Sequence, residues 1–145
     1  GLGKTFLSAA IARVVAAKGC GVAYDTASGL LASFEREKFS RDTDEVSDAA
    51  SRVRQLMSCD LLILDDLGTE TATAVTLSHF FTCLNERLLR QKSVIISTNL
   101  SLEDCRNRYQ DRIFSRIASN FEFCKLTGPD IRMCKKVSAV SGPVR

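Results

Sequence analysis

The sequence predicts an α/β fold built on a mostly parallel sheet, and three observations predict it. Two short, continuous apolar runs, Leu61-Leu62-Ile63-Leu64 and Val94-Ile95-Ile96, have the length and composition of strands buried on both faces. Stretches with apolar residues at helical spacing alternate with those runs, as in βα units. The first run stops abruptly at Asp65-Asp66, and polar groups at the C-terminal ends of parallel strands are where such sheets present a ligand crevice.

Each element follows from local pattern. After Gly1-Leu2-Gly3-Lys4-Thr5, apolar residues at Leu7, Ala10, Ile11, Val14 and Val15 predict a helix that Gly19 stops. Residues 21–26 read as a short strand. Ser28 is the expected cap of a second helix with Leu30, Leu31 and Phe34 on one face. The charge-rich residues 35–48 are expected to form a loop leading into a helix that ends near Met57. Leu61–Leu64 is the expected central strand. A long helix over about 74–90 follows from Leu77, Phe80, Phe81, Leu84 and Leu88. The strand at Val94–Ile96 ends in Ser97-Thr98-Asn99, and two short helices are expected over 101–107 and 110–119. Phe121 and Phe123 alternate with polar neighbours as a last strand would, and Gly128-Pro129 ends it. The residues after Val137 are small and polar and read as a tail. There is no internal repeat.

Composition narrows the function classes. At 145 residues the chain is one domain's length, and 45% hydrophobic with 26% charged residues is a globular composition. The longest aliphatic run has four residues where a membrane span needs about 20. No basic-then-apolar leader opens the chain, so a cytoplasmic location is expected. Residues 1–85 carry eight Lys/Arg against eleven Asp/Glu, whereas residues 86–145 carry twelve against six. The basic C-terminal half is compatible with a polyanionic partner and equally with an ordinary solvated surface. Six cysteines form no C-x-x-C pair, and the lone His79 adds no metal-ligand rhythm, so reduced thiols are expected. His79 reads as a packed or surface histidine.

Three short segments can carry chemistry. Gly1–Thr5 matches the end of the phosphate-binding pattern G-x-x-x-x-G-K-[ST], whose first glycine would lie three residues before Gly1. Gly3 lets backbone N–H groups approach phosphates, Lys4 brings a point charge to the β/γ oxygens, and Thr5 offers a hydroxyl to Mg²⁺. A glycine turn before a helix with a surface lysine gives the same residues, so the match needs a second element. Asp65, sixty-one residues after Lys4, supplies it: a carboxylate at a buried strand's end can hold Mg²⁺ through its water shell, with Asp66 beside it to polarise an attacking water. Glu70 is a lesser candidate for orienting water and reads more simply as a surface loop residue. Asn99, at the end of the next strand, can hold water or the γ-phosphate without adding negative charge; alone, it would pass for a cap or turn residue. Arg112 and Arg116 lie four apart on one helix face and suit a transferring phosphoryl group, including a neighbouring subunit's, or simply an amphipathic surface.

These residues in this order resemble the AAA+ ATPases of the DnaC/IstB group, bacterial replicative helicase loaders and transposition helper ATPases. Gly1–Thr5 is similar to the tail of their Walker A, and Leu61–Gly68 resembles their Walker B with a second Asp where many AAA+ proteins have Glu. Ser97-Thr98-Asn99 is similar to their sensor 1. Asp111–Arg116 resembles the segment holding their trans-acting arginine finger, with Arg116 the better match and Arg112 second. Leu126–Arg132 is similar to the group's Gly-x-x-x-Arg end, so Arg132 is expected to act like a sensor 2 arginine.

The resemblance implies a P-loop NTPase core of AAA+ type, three-layered, with no separate lid domain. It implies an ATPase core over residues 1–137, beginning inside Walker A with the first strand missing, and a tail over 138–145. It also implies the cofactors ATP and Mg²⁺. Cofactor contacts would fall to Gly1, Gly3, Lys4, Thr5 and Arg132, metal ligation to Thr5 and Asp65, and catalysis to Asp66, Asn99, Arg116 and Arg112. The expected partners are a replicative DNA helicase or a transposase, single-stranded DNA, and further copies of the chain in a ring or filament, with no membrane. The expected role is a helicase-loader-like ATPase in DNA replication. The alternatives are a transposition helper, a small P-loop kinase, and a nucleotide-sensing module without turnover.

Overall fold

The computed structural model describes residues 2–39 and 43–131. Eight elements follow one another: α1 (Lys4–Ala17), β1 (Val22–Thr26), α2 (Ala27–Phe39), α3 (Thr43–Ser58), β2 (Leu61–Leu67), α4 (Ala74–Leu89), β3 (Ser93–Thr98) and α5 (Leu102–Asn120). The three strands form a parallel sheet in the order β1-β2-β3. The apolar run Leu61–Leu64 is its fully covered centre, as continuous hydrophobicity requires.

Strand alternation sorts the layers. Leu62 and Leu64 point into the main core with Leu30, Leu56, Phe80 and Leu84, so α2, α3 and α4 cover that face. Leu61, Ile63 and Asp65 point the other way, toward α1, whose Thr5 hydroxyl reaches the Asp65 carboxylate. The result is a three-layer sandwich with α5 packed beside α4. Register runs evenly from Leu61↔Ser93 to Leu64↔Ile96, then slips by one residue before Leu67↔Thr98. The extra residue falls at Asp65-Asp66, where Asp66 takes a left-handed backbone (φ 55°). Bulges of this kind re-aim side chains at strand ends.

Several expectations are corrected. The second helix is capped by Thr26 rather than Ser28: the Gly29 N–H donates to Thr26 Oγ1 at 3.0 Å, and Ser28 lies within the first turn. The charge-rich stretch read as a loop is mostly the end of α2 and the start of α3, since Glu, Arg and Lys are good helix formers once one face is buried. Helix α1 buries Ser8 against the sheet while Val14 is 59% exposed, so its apolar stripe is not the face that meets the sheet. Residues 121–127 form no strand; Phe121 is extended but pairs with nothing in the described sheet, and alternation without a ladder is not a strand. The two helices expected over 101–119 are present: α5 is two helical segments that meet at a kink at Gln110, φ 60°, ψ 157°.

Buried Arg87 is the feature that sequence reading missed. It is 0% exposed and donates to Leu56 O (2.7 Å), Met57 O (3.2 Å), Cys59 O (3.0 Å) and Ser93 O (2.8 Å). One guanidinium thus caps the C-terminal end of α3 and ties it to the starts of β2 and β3. His79 stacks on Phe34. The thiols of Cys20, Cys59, Cys83, Cys105 and Cys124 are free, and burial pushes that of Cys83 up to about 12.

Candidate nucleotide and metal site

The site is built where α1 begins, over the C-terminal ends of β2 and β3. Gly3 is the N-cap of α1 and adopts φ 87°, a left-handed conformation that glycine takes without steric cost. No side chain caps this end, and no acidic residue stands in its first turn. The first backbone N–H groups and the positive end of the helix dipole are therefore available to an anion.

Two side chains of the first turn reach the strand ends. Lys4 Nζ donates to Asn99 Oδ1 at 2.6 Å, and Thr5 Oγ1 donates to Asp65 Oδ2 at 2.7 Å. Residues separated by 95 and 60 positions in sequence thus close one cluster. Asn99 follows β3 and is exposed; the cap of α5 is Ser101, in a capping box with Asp104.

Asp65 is 3% exposed, so its charge needs partners. It has three donors: Thr5, the Tyr24 hydroxyl at 2.6 Å, and the Ser97 hydroxyl. Burial alone would raise its pKa, but the hydrogen bonds from Ser97, Tyr24 and Thr5 outweigh it and hold the carboxyl below the usual carboxylate range. The converse appears at Tyr24, whose hydrogen bond to Asp65 pushes the phenol up to about 12. Ser97 also accepts the Asp66 backbone N–H at 3.1 Å, so one hydroxyl holds both acidic residues of the bulge. The Asp66 residue itself is exposed.

Among the described residues no three His, Cys, Asp or Glu side chains gather as a self-contained metal cage. A carboxylate beside a hydroxyl is nonetheless a fitting donor set for Mg²⁺, which uses one or two protein oxygens and completes its shell with phosphate and water.

Glu70 is not the surface residue expected. It is 7% exposed, its Oε2 accepts the Gly68 N–H at 2.9 Å, and its Oε1 accepts from the Tyr109 hydroxyl and from Arg108 Nε at 3.4 Å. Burial opposes the charge, but these bonds prevail and lower its pKa. With both oxygens committed, Glu70 is not disposed to orient a water.

Arg112 and Arg116 join none of this. Both guanidinium groups lie over the Phe81 ring, at 3.8 and 4.3 Å from its centroid, and Arg116 Nε donates to Asn85 Oδ1 at 3.0 Å. Gly1 and Arg132 lie outside the described residues. Tyr24 and Ser97 enter the site through strand register, which places Tyr24 opposite Ile63 on the α1 side, and no local pattern signals that.

An uncapped helix start facing a buried strand-end carboxylate in a parallel α/β sandwich is the arrangement of a P-loop nucleotide-binding domain. The family profile of the IstB-like ATP binding proteins matches residues 1–138, and the chain belongs to that family. Among solved structures it is similar to the DnaC helicase loader, with a TM-score of 0.69 and 26% identity over 84% of this chain and 71% of that one. It is also similar to the replication initiator DnaA bound to AMPPCP and single-stranded DNA, with a TM-score of 0.65 and 25% identity over 81% of this chain. AMPPCP-bound DnaA from Aquifex aeolicus, at 23% identity and a TM-score of 0.67, shares the fold. The chain spans about a third of the length of these DnaA chains (34% and 35%). No curated protein sequence matches significantly. Among the described residues no helix is long and apolar enough to cross a membrane.

Proposed function

We propose that this ATP-binding domain hydrolyses ATP with Mg²⁺, as a helicase-loader-like ATPase acting in DNA replication. The observation that carries the reading is the convergence of Lys4 with Asn99 and of Thr5 with Asp65 at the open start of α1. In this reading Gly1, Gly3 and the α1 N–H groups cradle the phosphates, Lys4 binds the β/γ oxygens, and Asn99 beside it holds water or the γ-phosphate. Thr5 and Asp65 hold Mg²⁺, which when bound neutralises charge on the phosphates. Asp66 polarises the attacking water, and Arg132 contacts the nucleotide. Arg116, with Arg112 second, serves the site of a neighbouring copy; that neither bonds to the site of its own chain is consistent with action in trans. The ATPase core is assigned to residues 1–137 and a tail to 138–145.

The partners proposed are single-stranded DNA, a replicative helicase and further copies of this chain in a ring or filament, in the cytoplasm. Similarity to a helicase loader and to a single-stranded-DNA-bound initiator supports them. Membership of the IstB-like ATP binding family, with the resemblance to transposition helper ATPases, supports a second reading with the same chemistry, a transposition helper whose client is a transposase. The test is phosphate release at saturating ATP, with and without single-stranded DNA, for the wild type, Asp65→Ala and Asp66→Asn. Asp65→Ala should weaken Mg²⁺-dependent binding. Asp66→Asn should retain binding and slow turnover about 10²-fold or more, the scale of a positioned acid–base group. Equal release by wild type and Asp66→Asn would leave a nucleotide-binding module without this turnover. Co-sedimentation with purified helicase or transposase separates the two clients.

A further inference from the structure

The turn leaving β2 is wired to α5 through a buried carboxylate that the nucleotide site does not use. Glu70 receives the Tyr109 hydroxyl and Arg108 Nε on one oxygen and the Gly68 N–H on the other, and its own carbonyl accepts from Arg108. Tyr109 is 1% exposed, and its ring packs on Phe80. The turn itself has little play. Thr98 Oγ1 donates to Leu67 O at 2.6 Å, and a Cβ at Gly68 (φ 106°) would lie 2.6 Å from Leu100 Cδ1.

Tyr109 also stands immediately before Gln110, whose positive φ breaks α5 in two. Non-glycine residues hold such a conformation only where the surroundings over-determine it, and such positions cluster at active sites, ligand clamps and switch regions. The half-helix after the break carries Arg112 and Arg116. A covalent and hydrogen-bonded path thus runs from Asp66 through Gly68, Glu70 and Tyr109 to the break, and from there to the two arginines.

We propose that the Glu70–Tyr109 contact is a positioning device that aims the arginine half-helix at the site of a neighbouring copy, so that Glu70 and Tyr109 act on the neighbour's hydrolysis and not on their own chain's nucleotide binding. The proposal rests on the reading that Arg116 serves a neighbour's site. Tyr109→Phe removes the tether and keeps the ring on Phe80. Small misplacements of positioned groups cost about 10²-fold, so turnover should fall by roughly 10- to 100-fold with ATP affinity unchanged.

Subunit mixing reads the direction of the effect, which a general loss of stability would not set. Mixed with Lys4→Ala, which lacks a working site but keeps its arginine, Tyr109→Phe should regain turnover. Mixed with Arg116→Ala, whose sites need a well-aimed arginine from outside, it should not. Recovery with Arg116→Ala, or wild-type turnover by Tyr109→Phe alone, overturns the proposal. Arg116→Ala mixed with Lys4→Ala is the control: no recovery there, with co-assembly verified, overturns the trans reading and the proposal together. Recovery there with the wrong partner preference for Tyr109→Phe overturns the proposal alone. If Tyr109→Phe does not bind ATP, Glu70→Gln, whose single acceptor oxygen cannot serve both the Tyr109 hydroxyl and the Gly68 N–H, is carried through the same mixtures; loss of ATP binding in both variants also overturns it.

Discussion

Ser97→Ala is the sharpest single test of how the two acidic residues are held. The substitution removes a hydroxyl that donates to the buried Asp65 carboxylate and accepts the Asp66 N–H, and it leaves the rest of β3 intact. A hydrogen bond to a charged group is worth about 1.5–3 kcal/mol net. The Asp66 N–H bond is neutral and only partly buried, so it adds less. About 2 kcal/mol of stability should therefore disappear at pH 7. The loss should depend on pH in one direction. The folded-state pKa of Asp65 is depressed, so its contribution is full above the unfolded value of about 3.9 and is lost as pH falls through the lower folded value. Without Ser97 the folded pKa rises, and the wild-type and variant curves should draw together as pH falls through the depressed folded value of Asp65. In urea, with a slope of about 1.5 kcal/mol per molar, 2 kcal/mol is a midpoint shift of about 1.3 M at pH 7. Chemical denaturation at pH 7, 5 and 3 measures it. A midpoint shift of the same size at all three pH values, or none at pH 7, would refute the charge-assisted role given to Ser97.

Arg87→Met should cost about 3–5 kcal/mol, because it strands several buried carbonyls that one guanidinium now satisfies, and thermal unfolding will register the loss. A change within 1 kcal/mol would mean that water substitutes there. Lys4→Ala should abolish most ATP affinity in calorimetry, since the backbone donors of α1 remain but the mobile charge is gone; unchanged binding would remove Lys4 from the site. Tyr24→Phe should weaken ATP binding measured with Mg²⁺ several-fold and leave Mg²⁺-free binding alone, because the phenol orients the Asp65 carboxylate without reaching the phosphates itself. Equal effects with and without Mg²⁺ would point to a direct nucleotide contact instead.

The chain itself determined the layer order and the ends of the elements that matter most. Leu61–Leu64 is legible as a central strand because an uninterrupted apolar run of that length can be stable only with both faces covered. Gly3-Lys4-Thr5, Asp65 and Asn99 are singled out by motif, a glycine at a helix start and polar residues at strand ends, and the folded chain brings Lys4 to Asn99 and Thr5 to Asp65. What sequence cannot carry is register and approach. Tyr24 and Ser97 meet Asp65 only because parallel pairing sets β1 and β3 at particular offsets from β2, and the one-residue slip at Asp65-Asp66 is an outcome of that pairing. Glu70 looks like a loop glutamate until α5 folds over it and supplies Tyr109 and Arg108. Arg87 looks like the outer face of α4 until three element ends present their carbonyls to one point. Residues 121–127 alternate like a strand, yet pairing is a property of two segments, and they pair with neither open edge of the described sheet. Local pattern fixes which face a residue prefers; only the assembled chain decides which polar groups come within hydrogen-bonding distance, because that depends on positions dozens of residues apart.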